Sequence, residues 1–259
     1  MKQRFLIKIG GLAFEKQEGM LALGAAMAAS EDAEFIVLHG GGAEISQALS
    51  AAGRPNRFID GVRVTPREDV EIVEQVLSRK VNQRIANAFE KSDVACQRMS
   101  GKTGNLFTVE PLSRNGQDLG YVGRISGVNE KVVEDALAKG RLPVISPVSG
   151  DSNAVTYNVN ADSAASALAA AANCTDLVFF TDVPGVLVDG KRCVTLSRDE
   201  AKALIEAGTI KGGMVAKMEA AFKALDQGVA RVHIMQWQGP RDFARLNCQQ
   251  CDSGTTVCL

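Results

Sequence analysis

Strand-like and helix-like segments alternate along this 259-residue chain, which predicts an α/β fold: a mostly parallel sheet with helices on both faces. Two glycine runs sharpen that expectation. Phe5-Leu6-Ile7-Lys8-Ile9-Gly10-Gly11 and Phe35-Ile36-Val37-Leu38-His39-Gly40-Gly41-Gly42 each end an apolar, strand-like stretch in residues without side chains. A strand that stops this way and enters a helix lets backbone N–H groups approach an anion closely. With Lys8 beside the first turn, the pair reads as a cradle for a phosphoryl group. Either run taken singly fits a plain turn as well.

In chain order, residues 4–9 read as a strand and Glu15 to Ser30 as a helix rich in Ala, Leu and Met. Residues 34–39 form the next strand, and Glu44 to Ala52 a helix closed by Gly53 and Pro55. Pro66 then sits where a helix begins. Val70, Val73, Val76, Leu77, Val81, Ile85 and Phe89 keep helical spacing, so residues 67–90 read as one long amphipathic helix packing on the core. Val94 to Met99 is strand-like. Leu106 to Val109 and Tyr121 to Ile125 flank the turn-prone Ser113-Arg114-Asn115-Gly116, a hairpin set beside the main sheet. Residues 129–139 are helical, Leu142 to Ser146 is a strand, and Ser149 to Asn153 is a polar loop. The second half repeats the alternation. Helices are expected at 161–172, 198–207 and 213–227, and strands at Leu177–Thr181, Arg231–Met235 and Thr256–Cys258. No low-complexity linker divides the chain, so two lobes, 1–174 and 175–259, would share one sheet with a cleft between them.

Composition narrows the function. Hydrophobic residues make up 46% and charged residues 23%, a globular balance that argues against disorder. Lys and Arg number 29 against 30 Asp and Glu, so no basic field draws the chain to nucleic acid or an anionic membrane. No signal peptide and no membrane-spanning apolar run is present, and a cytoplasmic protein is expected. Cys96, Cys174, Cys193, Cys248, Cys251 and Cys258 are expected to be reduced thiols. Cys248-Gln-Gln-Cys251 has metal or redox spacing, but no second pair or histidine cluster accompanies it, and no metal site is expected.

Familiar chemistries fail on their residues. Gly101-Lys102-Thr103 mimics the tail of a P-loop, yet Cys96 stands where that motif needs glycine. No Gly-x-Gly-x-x-Gly run supports a nicotinamide fold. With only His39 and His233, and no Gly-x-Ser-x-Gly elbow, serine hydrolysis and histidine–metal chemistry have little to use. What remains is charge at element ends: Lys8 closing a strand, Asp162 opening a helix, where the dipole favours a carboxylate, and Lys217 early in another helix. Spacing alone leaves their convergence open, beside the plain readings of an N-cap and solvated lysines.

The whole chain resembles the amino-acid kinase family, and within it the acetylglutamate kinases. The matching pieces run in order: Ile7-Lys8-Ile9-Gly10-Gly11, His39-Gly40-Gly41-Gly42, Asp60-Gly61-Val62-Arg63-Val64-Thr65, Ser100-Gly101-Lys102 and Gly120-Tyr121-Val122-Gly123. Asn158-Val159-Asn160-Ala161-Asp162, Thr181-Asp182-Val183-Pro184-Gly185-Val186-Leu187 and Gly213-Met214-Val215-Ala216-Lys217 complete the series.

The resemblance implies a three-layer αβα sandwich that transfers phosphate from ATP to the γ-carboxylate of N-acetyl-L-glutamate, in arginine biosynthesis. The N-terminal lobe would bind the acyl amino acid and the C-terminal lobe ATP. It implies that Lys8 and Lys217 neutralise the migrating phosphoryl group and that Asp162 holds both lysines. Gly10, Gly11, Gly41 and Gly42 would contact phosphoryl oxygens, Gly41 and Gly42 also lining the acceptor's site. Arg63 and Asn158 would grip the acceptor. Thr181, Asp182, Gly185, Gly213 and Met214 would surround the nucleotide. Magnesium would arrive on ATP rather than on dedicated protein ligands. An ionised acceptor carboxylate needs no general base, which fits a site of lysines and glycines.

Two stretches depart from the family pattern. Gln236-Trp237-Gln238-Gly239-Pro240-Arg241 replaces a frequent Asp-Gly-Arg signature, and the tail is rich in cysteine. The chain starts just before its first strand, without the helical extension of arginine-inhibited hexamers, so an arginine-insensitive homodimer is expected. The rival readings are a family kinase with another acceptor (carrier-linked aminoadipate, carbamate or a uridylate) and a non-catalytic nucleotide or metabolite sensor of the same fold.

Overall fold

The computed structural model describes residues 2–10, 17–247 and 253–259. Its strands are, in chain order, β1 (Gln3–Ile9), β2 (Ala33–His39), β3 (Phe58–Ile59), β4 (Val62–Arg63), β5 (Cys96–Ser100), β6 (Phe107–Arg114), β7 (Gln117–Val128) and β8 (Leu142–Ser146). There follow β9 (Ser149–Gly150), β10 (Thr156–Val159), β11 (Asp176–Phe180), β12 (Leu187–Val188), β13 (Lys191–Arg192), β14 (Thr195–Ser197), β15 (Arg231–Met235) and β16 (Thr255–Cys258). The helices are α1 (Gln17–Ala28), α2 (Gly42–Ala51), α3 (Arg67–Glu74), α4 (Asn82–Glu90), α5 (Lys131–Leu137), α6 (Ala161–Ala171), α7 (Arg198–Glu206), α8 (Gly213–Asp226) and α9 (Pro240–Asn247).

Eight strands form one sheet in the order β14-β16-β15-β11-β1-β2-β8-β5, parallel except where β15 meets β16. The fold is thus the mixed α/β architecture with a mostly parallel sheet. The central strands β1, β2, β8 and β11 are almost wholly apolar because helices cover them on both sides. Period-two alternation sorts β1: Phe5, Ile7 and Ile9 join the core under α1 and α4, whereas Leu6 joins the core under α6 and α8. Lys8 shares the face of Leu6, so its side chain is directed toward the two helices that carry Asp162 and Lys217. The carboxyl ends of β1, β2, β8, β11 and β15 lie along one edge, which is where open α/β sheets bind ligands.

The long helix of residues 67–90 is interrupted. Residues 75–81 wind as a π-helix between α3 and α4. Leu77, Val81, Ile85 and Phe89 recur every four residues, ahead of the 3.6-residue period, and one wide turn absorbs the surplus while keeping all four buried. Val70, expected in the core stripe, is only half-buried. Asp69 is buried instead, held by the Arg54 guanidinium at 2.7 Å.

The hairpin is longer than the sequence pattern indicates. β6 and β7 turn at Asn115 (φ 51°) and Gly116 (φ 73°) and close with β9 and β10 into a four-stranded barrel beside the sheet. The polar run at 149–153 therefore starts as a strand, and β10 delivers the chain to α6. No helix among the described residues is long and apolar enough to cross a membrane.

Candidate active site

Asp162 organises the site. It lies in the first turn of α6, whose start is fixed by the Asn160 side chain accepting the Ser163 N–H at 2.9 Å. Lys217 Nζ donates to Asp162 Oδ2 at 2.7 Å, and Lys8 Nζ stands 2.7 Å from Oδ1. The Lys8 contact is a close ion pair between two side chains that are both largely buried. Three residues more than 200 positions apart at their extremes thus meet as two ammonium groups on one carboxylate. All three are largely shielded from water. Burial pushes the Asp162 carboxyl up, but Lys8 and then Lys217 outweigh it and hold it down at about 2. Burial lowers Lys8, opposed by the Asp162 charge and reinforced by that of Lys217. An ammonium has three donors, and among the described residues each lysine directs one contact to Asp162, so both keep N–H groups for an incoming anion.

In front of this centre is a cleft of about 270 Å³ lined by Lys8, Asp162, the turn residues Gly10 and Gly40 to Gly42, and by Arg63 and Asn158. Lys217 is not on its wall and reaches Asp162 from the α8 side. Gly11 lies outside the described residues.

Arg63, at the end of β4, is buried on the wall of the same cleft. It donates from Nη1 to Asn56 Oδ1 at 2.5 Å, and from Nη2 to Gly42 O at 3.0 Å and Ser46 Oγ at 2.8 Å. The ring of Phe58 stacks 4.6 Å from its guanidinium carbon. Burial lowers its guanidinium, with Asp69 opposing, yet Arg remains charged. Among the described residues, Nε–H and one Nη1–H have no partner, which leaves them for a ligand. Asn158, on β10, donates to Thr65 Oγ1 at 3.0 Å. Thr65 is itself clamped: Tyr121 N donates to its carbonyl, and Gly120 (φ 71°) passes so near that a Cβ there would sit 2.4 Å from that oxygen.

Across the carboxyl edge, Thr181 follows β11 and donates its N–H to Met235 O at 2.9 Å, while Asp182 is exposed and its charge is felt at Lys8. Gly213 is exposed at the start of α8, and Met214 is half-buried against the core beneath. Gly185 is different. It is buried with φ 144°, and a Cβ there would meet Thr255 Oγ1 at 2.6 Å, so its missing side chain is needed for packing on β16. Among the described residues no three His, Cys, Asp or Glu side chains converge as metal ligands.

The sequence pattern missed Asn56, Ser46 and Phe58 at this site, and gave Leu77 only as core although it also lines the cleft. Phe58-Ile59-Asp60-Gly61-Val62-Arg63 held a usable signal, since Asp-Gly between apolar residues marks a tight hairpin. Cys96 and Cys174 have thiols pushed up to about 12 by burial and are poor nucleophiles. Cys248 and Cys251 lie outside the described residues.

The sequence pattern of the amino acid kinase family matches residues 3–236. An acetylglutamate kinase of Geobacillus stearothermophilus is 37% identical over 235 residues, 91% of this chain and 90% of its own length. Another, from Chloroflexus aggregans, is 40% identical over 209 residues, 80% of this chain and 82% of its own. A solved protein of Streptococcus mutans UA159 superimposes with a TM-score of 0.85 at 26% identity, over 99% of each chain. On the span of the family match and the identity of these full-length relatives, the chain belongs to the amino acid kinase family.

Proposed function

We propose that this chain transfers the γ-phosphoryl group of ATP to the γ-carboxylate of N-acetyl-L-glutamate, giving N-acetyl-L-glutamyl 5-phosphate and ADP, a step of arginine biosynthesis. The observation that carries the reading is the pair of ammonium groups on Asp162, beside a cleft that Arg63 and Asn158 also line.

The chemistry follows from charge. An acceptor carboxylate and an ATP γ-phosphate repel one another and must be held in line. The free N–H groups of Lys8 and Lys217 face the charge that builds on the migrating group, and Asp162 keeps the two ammonium groups from repelling apart. Gly10 and Gly41 allow backbone to approach without side chains. The two unused donors of Arg63 and the Asn158 amide suit the α-carboxylate and the acyl amide of the acceptor. Thr181, Asp182, Gly213 and Met214 rim the side from which ATP would enter; Gly185 supports that rim by packing. Magnesium carried on ATP would supply charge neutralisation of the phosphates, with no dedicated protein ligands needed. A cytoplasmic homodimer is the form we infer, which light scattering would report directly.

The test is ADP release with N-acetyl-L-glutamate, L-glutamate, carbamate, uridylate and a carrier-linked aminoadipate as acceptors. Turnover confined to N-acetyl-L-glutamate, and lowered roughly 10²–10³-fold in Lys217→Ala, supports the reading. Preference for another acceptor, or ATP binding without any transfer, overturns it.

A further inference from the structure

His39 ends β2 directly before the glycine turn and is 1% exposed. Its Nδ1 lies 2.8 Å from Gly40 O, and its Nε2 lies 3.1 Å from Asn82 Nδ2. The second contact settles the first. Asn82 Nδ2 also faces the carbonyls of Met99 (3.3 Å) and Val144 (2.9 Å), while Asn82 Oδ1 accepts from Arg98 Nε at 3.0 Å. A reversed amide would set its oxygen against two carbonyl oxygens and its nitrogen against a guanidinium, so this orientation is fixed by its neighbours. Nε2 therefore accepts, and the ring proton is on Nδ1, donated to Gly40 O.

The outer end of this chain is anchored in the π-helical segment. Arg98 Nη2 donates to Ser78 O at 3.2 Å and to Arg79 O at 3.4 Å, carbonyls of the widened turn. The same segment touches the glycine turn from its apolar side, where a Cβ on Gly41 would fall 2.7 Å from Leu77 Cδ2.

We propose that His39, Asn82 and Arg98 are positioning residues for phosphoryl transfer, acting by fixing the plane of the Gly40–Gly41 peptide. A trans peptide is planar, with its C=O and N–H pointing in opposite directions. Holding the Gly40 carbonyl toward His39 turns the Gly41 N–H the other way, toward the cleft that Gly41 lines, and that N–H has no partner among the described residues. A glycine pair has no side chain to set this plane for itself. His39 supplies what the turn lacks, and burial holds its imidazole at about 4, so it stays a neutral, single-tautomer donor near neutral pH.

The inference rests on the kinase reading above, and two independent measurements separate their failures. Imidazole 15N NMR of the intact wild-type chain at pH 7 should show His39 with a proton on Nδ1 and a bare Nε2; the opposite tautomer overturns the relay whatever the enzyme's substrate. In steady-state assays His39→Leu should lower kcat roughly 10–100-fold, with the KM for ATP and for N-acetyl-L-glutamate within threefold. His39→Asn, whose amide nitrogen can occupy the place of Nδ1, should recover most of that loss. Arg98→Met, at the exposed end of the chain, should lower kcat about threefold in the same manner. Unchanged kcat in His39→Leu, or equal losses in the Leu and Asn variants, overturns the proposal. If His39→Leu does not fold, the wild-type tautomer and Arg98→Met decide.

Discussion

Two buried aspartates sit toward opposite edges of the sheet, Asp176 on a strand and Asp162 on a helix, and they differ in how completely they are bonded. Asp176, at the amino end of β11, is saturated. Its Oδ1 takes Arg231 Nε at 2.6 Å and His233 Nε2 at 3.2 Å, and its Oδ2 takes Arg231 Nη2, Gln3 Nε2 and Thr175 Oγ1 at 2.9, 2.9 and 2.7 Å. Burial works against its charge, but bonds from His233, Arg231, Gln3 and Thr175 hold its carboxyl well below the usual range. Asp162, at the carboxyl end, has as its charged partners among the described residues two ammonium groups, each with donors to spare. A carboxylate surrounded by rigid, geometrically matched donors ties strands together. One surrounded by ammonium groups with spare valence stores positive charge for a visitor.

Exchanging the two should therefore separate catalysis from stability. The largest effect falls at the carboxyl end: Lys8→Ala or Lys217→Ala should lower kcat by roughly 10²–10³-fold with little change in melting temperature, read by ADP release and calorimetry. At the amino end, Asp176→Ala leaves Arg231 and His233 without their shared anion. It should cost about 3–5 kcal/mol in urea unfolding, while kcat per folded molecule holds. If Asp176→Ala also lowers kcat per folded molecule, the division between the two ends fails.

His39 gives a third contrast, readable by pH. Its pKa is lowered from 6.5 to about 4 on folding, burial acting first, with Gly40 and Glu44 opposing and Arg84 and Lys8 assisting. A base whose pKa falls on folding contributes stability that is complete above the unfolded value of 6.5 and drains away as pH drops toward 4. The wild type should lose up to about 3 kcal/mol across that interval relative to His39→Asn, which has no such proton to refuse. Parallel stability profiles for the two proteins would remove His39 from the account. The smallest effect is at the cleft wall beside Arg63. Phe58→Ala removes the ring over Arg63 and should raise the KM for the acceptor about 2–5-fold, leaving kcat nearly unchanged.

Much of this organisation was legible in the sequence, for identifiable reasons. Strand ends were readable because apolar runs stop abruptly, at Gly10 after β1, at Ser146-Pro147 in β8 and at Gln236 after β15, and these three strands fall within a residue of their expected limits. Period-two alternation along β1 even implies which face Lys8 occupies. What spacing could not supply was the meeting of Lys8, Asp162 and Lys217, which depends on α6 and α8 packing over one face of β1 and was implied only by family resemblance. Short elements without periodicity escaped notice. β3, β4, β9 and β10 have two to four residues each, too few for alternation to register, yet they carry Arg63 and Asn158. Nothing in the sequence marks Asn82 off from an ordinary polar position on a helix, because its value lies in four partners on three distant strands. Asp69 displaced Val70 in the interior because Arg54 travels with it.

The widened turn at residues 75–81 has an evolutionary and engineering consequence. Deleting one residue there would restore regular winding, which ordinarily favours a helix. It would also swing everything on its amino-terminal side by about 100° around the axis. Leu77 and Ser78 could then no longer face both the glycine turn and the sheet. The wall of the cleft beside Asp162 is thus specified by a count of residues as much as by their identity, and insertions or deletions in this stretch should be far less forgivable than substitutions.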